Sequence, residues 1–126
     1  MLDHVSVAVS DLAVSADAYE RVLDAAGLRR LVDRPAMVGF GKNYPELWLN
    51  ARSDMTPLRP DTGIHICLRV TDEDAVRAFH AEAMRAGWRD AGEPGPRQAA
   101  MTSYYAAFVQ DPDGNKLEAA TFPRKA

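Results

Sequence analysis

Apolar and polar positions alternate along residues 3–9, with Val5, Val7 and Val9 on one side and His4, Ser6 and Ala8 on the other. Residues 64–70 repeat the pattern, with Ile64, Ile66, Leu68 and Val70 set against His65, Cys67 and Arg69. A period of two with β-branched residues predicts a half-buried strand at each place. The period then lengthens. Leu12, Ala16, Tyr19, Val22, Leu23 and Ala26 form one stripe of a helix over 11–26. A second helix is predicted over 72–86, with Thr71 as N-cap and Asp74 three residues on as its capping-box partner. Gly27 and Gly87 stand where a left-handed C-terminal cap belongs. Short strands follow each helix, over 28–33, 36–41 and 45–50, and then over 88–91, 104–110 and 115–122. Asp111-Pro112-Asp113-Gly114-Asn115 reads as a tight turn between the last two. Residues 92–99, with Gly92, Pro94, Gly95 and Pro96, read as a loop over one sheet edge.

The two halves are one unit repeated. Ala18-Tyr19 and Ala78-Phe79 are 60 residues apart, as are Gly27 and Gly87, and Arg29 and Arg89. His4 and His65 are 61 apart, a difference one turn residue absorbs. A fixed period of this kind marks a duplicated supersecondary unit. The chain therefore reads as α+β, two tandem βαβββ modules within a single domain over 1–126. Module one covers about 1–50 and module two about 63–122, joined by a linker over about 51–62 that contains Pro57 and Pro60.

Composition narrows the function classes. At 126 residues the chain is long enough for one core and too short for two independent ones. With 15 basic and 18 acidic residues the net charge is −3, which argues against a nucleic-acid partner. The lone Cys67 excludes a disulfide framework and a multi-cysteine metal cluster. No apolar run approaches the ~20 residues that span a bilayer, so no membrane partner is expected. Met1-Leu2-Asp3-His4 carries no secretory signal, and a cytoplasmic protein is the expectation.

Strand parity then points to a site. In residues 45–50, Leu47 and Leu49 share one face, and Glu46, Trp48 and Asn50 the other. In residues 116–120, Leu117 and Ala119 oppose Lys116, Glu118 and Ala120. If the leucine faces meet the helices, His4, Glu46, His65 and Glu118 all project from the concave side. Two imidazoles and two carboxylates suit a divalent ion, Zn, Ni, Co, Fe or Mn. Each residue also has an ordinary reading, as a hydrogen-bonded strand histidine or a solvated glutamate. Arg69 shares the His65 face; it either binds a substrate carboxylate or phosphate or ends the strand at the surface. Trp48 and Phe108 form apolar walls or simply core. Tyr104 has the parity of Phe108 and is placed to reach the same side, with Tyr105 facing away. His80, on the second helix, reads as surface.

With these residues in hand, the chain resembles the vicinal oxygen chelate superfamily, which includes glyoxalase I, extradiol dioxygenases, fosfomycin-resistance transferases and bleomycin-resistance proteins. The resemblance runs over nearly the whole chain. It is carried by Leu2-Asp3-His4-Val5, Val9-Ser10-Asp11-Leu12, Ala18-Tyr19, Glu46-Leu47-Trp48, Gly63-Ile64-His65, and the Asp111-Pro112-Asp113-Gly114 turn with Lys116-Leu117-Glu118. It implies a cup-shaped mixed sheet with helices on the outer face. It also implies a metal held by His4, Glu46, His65 and Glu118. The dioxygenases and fosfomycin enzymes carry a tyrosine where this chain has Phe108, and the dioxygenases a histidine that 96–107 lacks. The ligand pattern is most similar to glyoxalase I, whose chemistry makes Glu118 or Glu46 the catalytic base; no separate glutathione signature accompanies it.

Two functions follow as expectations. The first is a metal-dependent enzyme on a small oxygenated substrate, a glyoxalase I-like lyase or isomerase moving a proton next to a chelated carbonyl. The alternative is a non-catalytic, bleomycin-resistance-like protein holding a drug or metabolite between Trp48, Phe108 and Tyr104. Under either, the resemblance implies a homodimer, with modules exchanged or not; His4 and Glu46 of one chain would then meet His65 and Glu118 of the other.

Overall fold

The structure is a computed structural model and describes residues 1–59 and 61–123. Pro60, expected in the linker, lies outside the described residues. The elements run β1 (Val5–Val9), α1 (Leu12–Asp24), β2 (Arg29–Arg34), β3 (Met37–Gly41), β4 (Leu47–Ala51), β5 (Ile66–Arg69), α2 (Glu73–Arg85), β6 (Arg89–Gln98), β7 (Ser103–Gln110) and β8 (Lys116–Thr121). Each module forms its own four-stranded mixed sheet, ordered β1-β4-β3-β2 and β5-β8-β7-β6. In each, the first strand runs parallel to the last and the rest pair antiparallel. This is the βαβββ duplication read from the sequence.

The repeat extends to the helix ends. At the close of α1 the Gly27 N–H donates to Asp24 O and the Leu28 N–H to Leu23 O, at 2.9 and 3.0 Å. At the close of α2 the Gly87 N–H donates to Met84 O and the Trp88 N–H to Ala83 O, at 3.1 and 3.0 Å. These bonds require a left-handed residue, and Gly27 and Gly87 supply it with φ of 81° and 82°. At the other end Asp11 caps α1 by accepting from the Val14 N–H. The cap of α2 is Asp72, which accepts from the Ala75 N–H, and not Thr71 as the sequence suggested. A carboxylate one residue nearer the helix reaches the next orphan donor, the Ala75 N–H, and also faces the positive end of the dipole.

One core serves both modules. Tyr19, Val22 and Leu23 of α1, Phe40 of β3, Leu47 and Leu49 of β4, Val76 and Phe79 of α2, and Val109 and Leu117 of β7 and β8 are fully or nearly fully buried in one cluster. Tyr19 packs against Trp88 across the module boundary, with ring centroids 4.7 Å apart. Neither apolar face would be covered if its module stood alone.

The stretch 92–99 departs from the expected loop. It is not a loop; β6 runs through it to Gln98, pairing with β7 despite register shifts around Gly92. β6 is an edge strand, so Pro94 and Pro96 forfeit no ladder bond that a second neighbour would need.

The Asp111–Asn115 turn does more than reverse the chain. Asp111 is 4% exposed and accepts from the Tyr19 hydroxyl at 2.6 Å, the backbone N–H groups of Asp113 and Asn115 at 2.9 and 2.8 Å, and Asn115 Nδ2 at 2.9 Å. Asp113 accepts from the Ser10 N–H and Oγ at 3.0 and 2.7 Å. Asn115 Nδ2 donates to Ala8 O at 2.8 Å, and the linker joins in through the Leu58 N–H to Asp113 O, also 2.8 Å. The turn of module two is thus clasped to the end of β1 and to α1 of module one.

Candidate functional site

The strand starts present the candidate residues. His4 immediately precedes β1 and Glu46 immediately precedes β4, and these two strands pair in parallel with Val5 opposite Leu47. The Val5 N–H donates to Glu46 O at 2.9 Å, which sets His4 and Glu46 side by side in the sheet. His4 is exposed, with Nδ1 2.7 Å from Asp3 Oδ1. Glu46 is half-buried and accepts from the Lys42 N–H at 3.1 Å.

The second pair is tighter. Glu118 lies within β8, 3% exposed, and its Oε1 is 2.9 Å from His65 Nε2. Its Oε2 is buried without a hydrogen-bond partner among the described residues. A buried, unpartnered carboxylate oxygen is costly, and such a group calls for a ligand, an ion or a proton. Cys67, opposite Glu118 in the register, has its thiol pushed up to about 12, first by burial and then by the Glu118 charge. Burial and the same carboxylate also raise the Tyr104 phenol.

The four candidate ligands do not meet as one group: His65 and Glu118 are bonded to each other, while His4 bonds Asp3 and Glu46 the Lys42 N–H. Among the described residues no three His, Cys, Asp or Glu side chains gather where they could hold a metal ion. The pairs also differ in register. Ser6 faces Trp48 across β1 and β4, whereas Cys67 faces Glu118 across β5 and β8. Trp48 therefore stands where Glu118 stands in the repeat, and Glu46 lies two residues nearer the strand start, roughly 6.6 Å along it. A cavity of about 250 Å³ between the modules does bring Glu46 and Lys42 together with Cys67 and Arg69, over Val5, Leu47 and Leu68.

Aromatic residues line both concave faces. Trp48 lies against Gly39, where a Cβ would come within 2.9 Å of the indole. Phe108 meets His65 edge-on at 5.5 Å, and Tyr104 stacks on Phe122 at 4.9 Å. Tyr105 faces the helix side, where its hydroxyl accepts from Arg77 Nη1 at 3.2 Å. Arg69 sits over the Phe122 ring at 4.5 Å, and Arg97 and Lys116 lie 5.8 and 5.1 Å from the centre of Phe108. Sequence reasoning passed over Phe122, Lys116 and Arg97. The parity of β8 places Lys116 and Phe122 with Glu118, and Arg97 was hidden by the loop reading of 92–99. His80, read as surface, is mostly buried, with Nε2 2.9 Å from Asp90 Oδ1.

Two open mixed sheets built from βαβββ repeats, each with a histidine immediately before its first strand, describe the vicinal oxygen chelate fold. Residues 1–119 match the Glyoxalase/Bleomycin resistance protein/Dioxygenase superfamily, and the chain belongs to it. It is 34% identical over 124 residues to a lactoylglutathione lyase of Neisseria meningitidis, covering 91% of this chain and 86% of that protein. Among solved structures it is similar to a glyoxalase/bleomycin resistance protein from Albidiferax ferrireducens, with 28% identity, a TM-score of 0.85, and coverage of 96% and 98% of the two chains. The fosfomycin resistance protein FosX of Listeria monocytogenes shares the fold at 13% identity, with a TM-score of 0.71 and coverage of 98% of this chain and 93% of that one. Among the described residues no helix is long and apolar enough to cross a membrane.

Proposed function

We propose that the chain is a metal-dependent enzyme that moves a proton next to a carbonyl of a small oxygenated substrate, working as a homodimer. The observation that carries this reading is Glu118, buried, bonded to His65 through one oxygen and unpartnered at the other. That orphan oxygen and the adjacent imidazole fit a divalent metal. His4 and Glu46 of a second copy would complete the set, because among the described residues of one chain no third ligating side chain joins His65 and Glu118. A bound metal supplies Lewis-acid polarisation of the substrate oxygens.

The chain's own groups do the rest. His65 holds the Glu118 carboxylate in one orientation. Glu118 takes the proton from the carbon beside the carbonyl and returns it to the neighbouring atom, so no oxidant or reductant is consumed. Glu46 is the second candidate base, set two residues nearer its strand start than Glu118. Phe108, Tyr104 and Trp48 wall the site and keep water from the reacting carbon. The likeness to lactoylglutathione lyase supports an aldehyde-derived hemithioacetal as the first substrate to try.

The test is metal content with oligomeric state. Purified protein incubated with Ni, Co, Zn, Mn or Fe should retain one metal per site and run as a dimer, and His4→Ala and His65→Ala should each lose the metal. A folded protein that takes up none of these ions overturns the reading. The aromatic walls favour a second reading, a non-catalytic binder. A metal-independent change in tryptophan fluorescence on adding ligand would support it, and turnover of a hemithioacetal would dismiss it.

A further inference from the structure

The chain carries a net charge of −3, yet three cations gather on the concave face of the second sheet. Arg69 on β5, Lys116 on β8 and Arg97 on β6 all lie over aromatic rings of that face, Phe122 for the first and Phe108 for the other two. β5, β7 and β8 carry one carboxylate, Glu118; β6, which supplies Arg97, also carries Glu93, and Asp90, whose carboxylate bonds His80. Glu118 is bonded to His65, and among the described residues neither Arg69 nor Lys116 forms an ion pair. Simple neutralisation of Glu118 needs one cation; its own ladder, β5 with β8, supplies two, Arg69 and Lys116.

The cations are not equivalent. Arg97 donates to Pro96 O at 3.2 Å and to Glu93 O at 2.7 Å, so its fork is committed to the backbone of β6. Lys116 and Arg69 flank Glu118 in the β5–β8 ladder, Lys116 two residues before it and Arg69 opposite Ala120 two residues after it. Arg69 is exposed and borders the cavity shared with module one. A guanidinium lying on a ring keeps its N–H donors directed outward in its own plane, the geometry that grips a carboxylate through two bonds.

We propose that this face binds a small organic carboxylate, with Arg69 as its principal partner and Lys116 as the second cation. This rests on the reading of the same face as the substrate site and names the class of substrate it takes. The carboxylate lies at the Arg69 end and the reacting carbon beside Glu118. The surplus positive charge draws anions to the face of an otherwise acidic protein.

The experiment is calorimetric titration of the full chain, stripped of metal with EDTA and dialysed free of it. The probes are acetate, pyruvate and phenylglyoxylate, each compared with its neutral amide. At least one acid should bind and its amide should not. Arg69→Gln should weaken the binding roughly tenfold or more, the loss of a charged hydrogen-bonded pair. Arg69→Lys should restore only part of it, because charge returns without the planar fork. Lys116→Gln should weaken it less and flatten its dependence on chloride. Acids that bind no more tightly than their amides, or binding unchanged in Arg69→Gln, overturn the proposal. Because the protein is metal-free, this result is independent of metal uptake. A chain that loads metal but ignores carboxylates sinks this proposal alone, and one that binds carboxylates but no metal sinks the enzymatic reading alone.

Discussion

Replacing Asp111 with alanine should break the clasp that holds the two modules in register. The Tyr19 hydroxyl is fully buried, and among the described residues its hydrogen-bond partner is Asp111. Leaving that donor unpaired, after it has served a charged acceptor, costs about 2–3 kcal/mol. Asn115 Nδ2 keeps Ala8 O, while the N–H groups of Asp113 and Asn115 lose Asp111 in a turn where water can partly replace it. Relief of the buried carboxylate's own desolvation offsets part of the loss, and a net destabilisation of about 3–4 kcal/mol is expected. A domain of this size is stable by roughly 5–15 kcal/mol, so the melting temperature should fall by on the order of 10–20 °C. Tyr19→Phe should cost about 1.5–2 kcal/mol, and the double variant should cost less than the two together, with a coupling of about 1 kcal/mol or more. Urea unfolding at constant m reads all three. A loss under about 1 kcal/mol for Asp111→Ala, or a coupling near zero, refutes the clasp. There is a pH signature too. Burial holds the Asp111 carboxyl above its usual range, so the folded state binds this proton more tightly than the unfolded one. Its contribution to stability is therefore fullest below the ordinary carboxylate range and is lost as pH rises through the raised value. The advantage of the wild type over Asp111→Asn should shrink along that rise.

Three further outcomes test other parts of the structure. Gly39→Ala puts a Cβ 2.9 Å from the Trp48 ring and 3.0 Å from Pro45, so it should cost about 1–3 kcal/mol and shift the tryptophan emission; an unchanged spectrum and unfolding midpoint would contradict that packing. With its thiol near 12, Cys67 should alkylate with iodoacetamide at neutral pH on the order of a thousandfold more slowly than a free cysteine, and Glu118→Gln should speed it; free-cysteine reactivity in the wild type would show that neither burial nor the carboxylate holds the thiol up. The His80 bond, and then the Gly92 N–H, hold Asp90 below its usual value, so its stabilisation is present above the ordinary carboxylate range and is lost as pH falls through the lowered value. The carboxylate is 41% exposed, so Asp90→Asn should cost only a few tenths of a kcal/mol at pH 7 and nothing in strong acid.

Much of this protein was legible from residue order. Alternation over 3–9 and 64–70, the 60-residue offset and the paired glycines define the modules, because strand parity and helix caps depend on neighbours a few residues away. The parity rule also placed Tyr104, Phe108, His65 and Glu118 on one face. What misled was local chemistry whose meaning depends on distant partners. Pro94 and Pro96 argue for a loop until β6 is seen to be an edge, and His80 looks like surface until Asp90 covers it.

By itself, then, the sequence determined two βαβββ units, their buried faces and the family to which they belong. Tertiary structure decided the rest. It turned the Asp111 turn into a buried clasp, gave Glu118 its unpartnered oxygen, set Glu46 two residues out of step with it, and gathered Arg69, Lys116 and Arg97 on one face of an acidic chain. The physical reason is range. Periodicity is set by backbone geometry over three or four residues, whereas burial, register between strands and local charge balance depend on groups far apart in the chain.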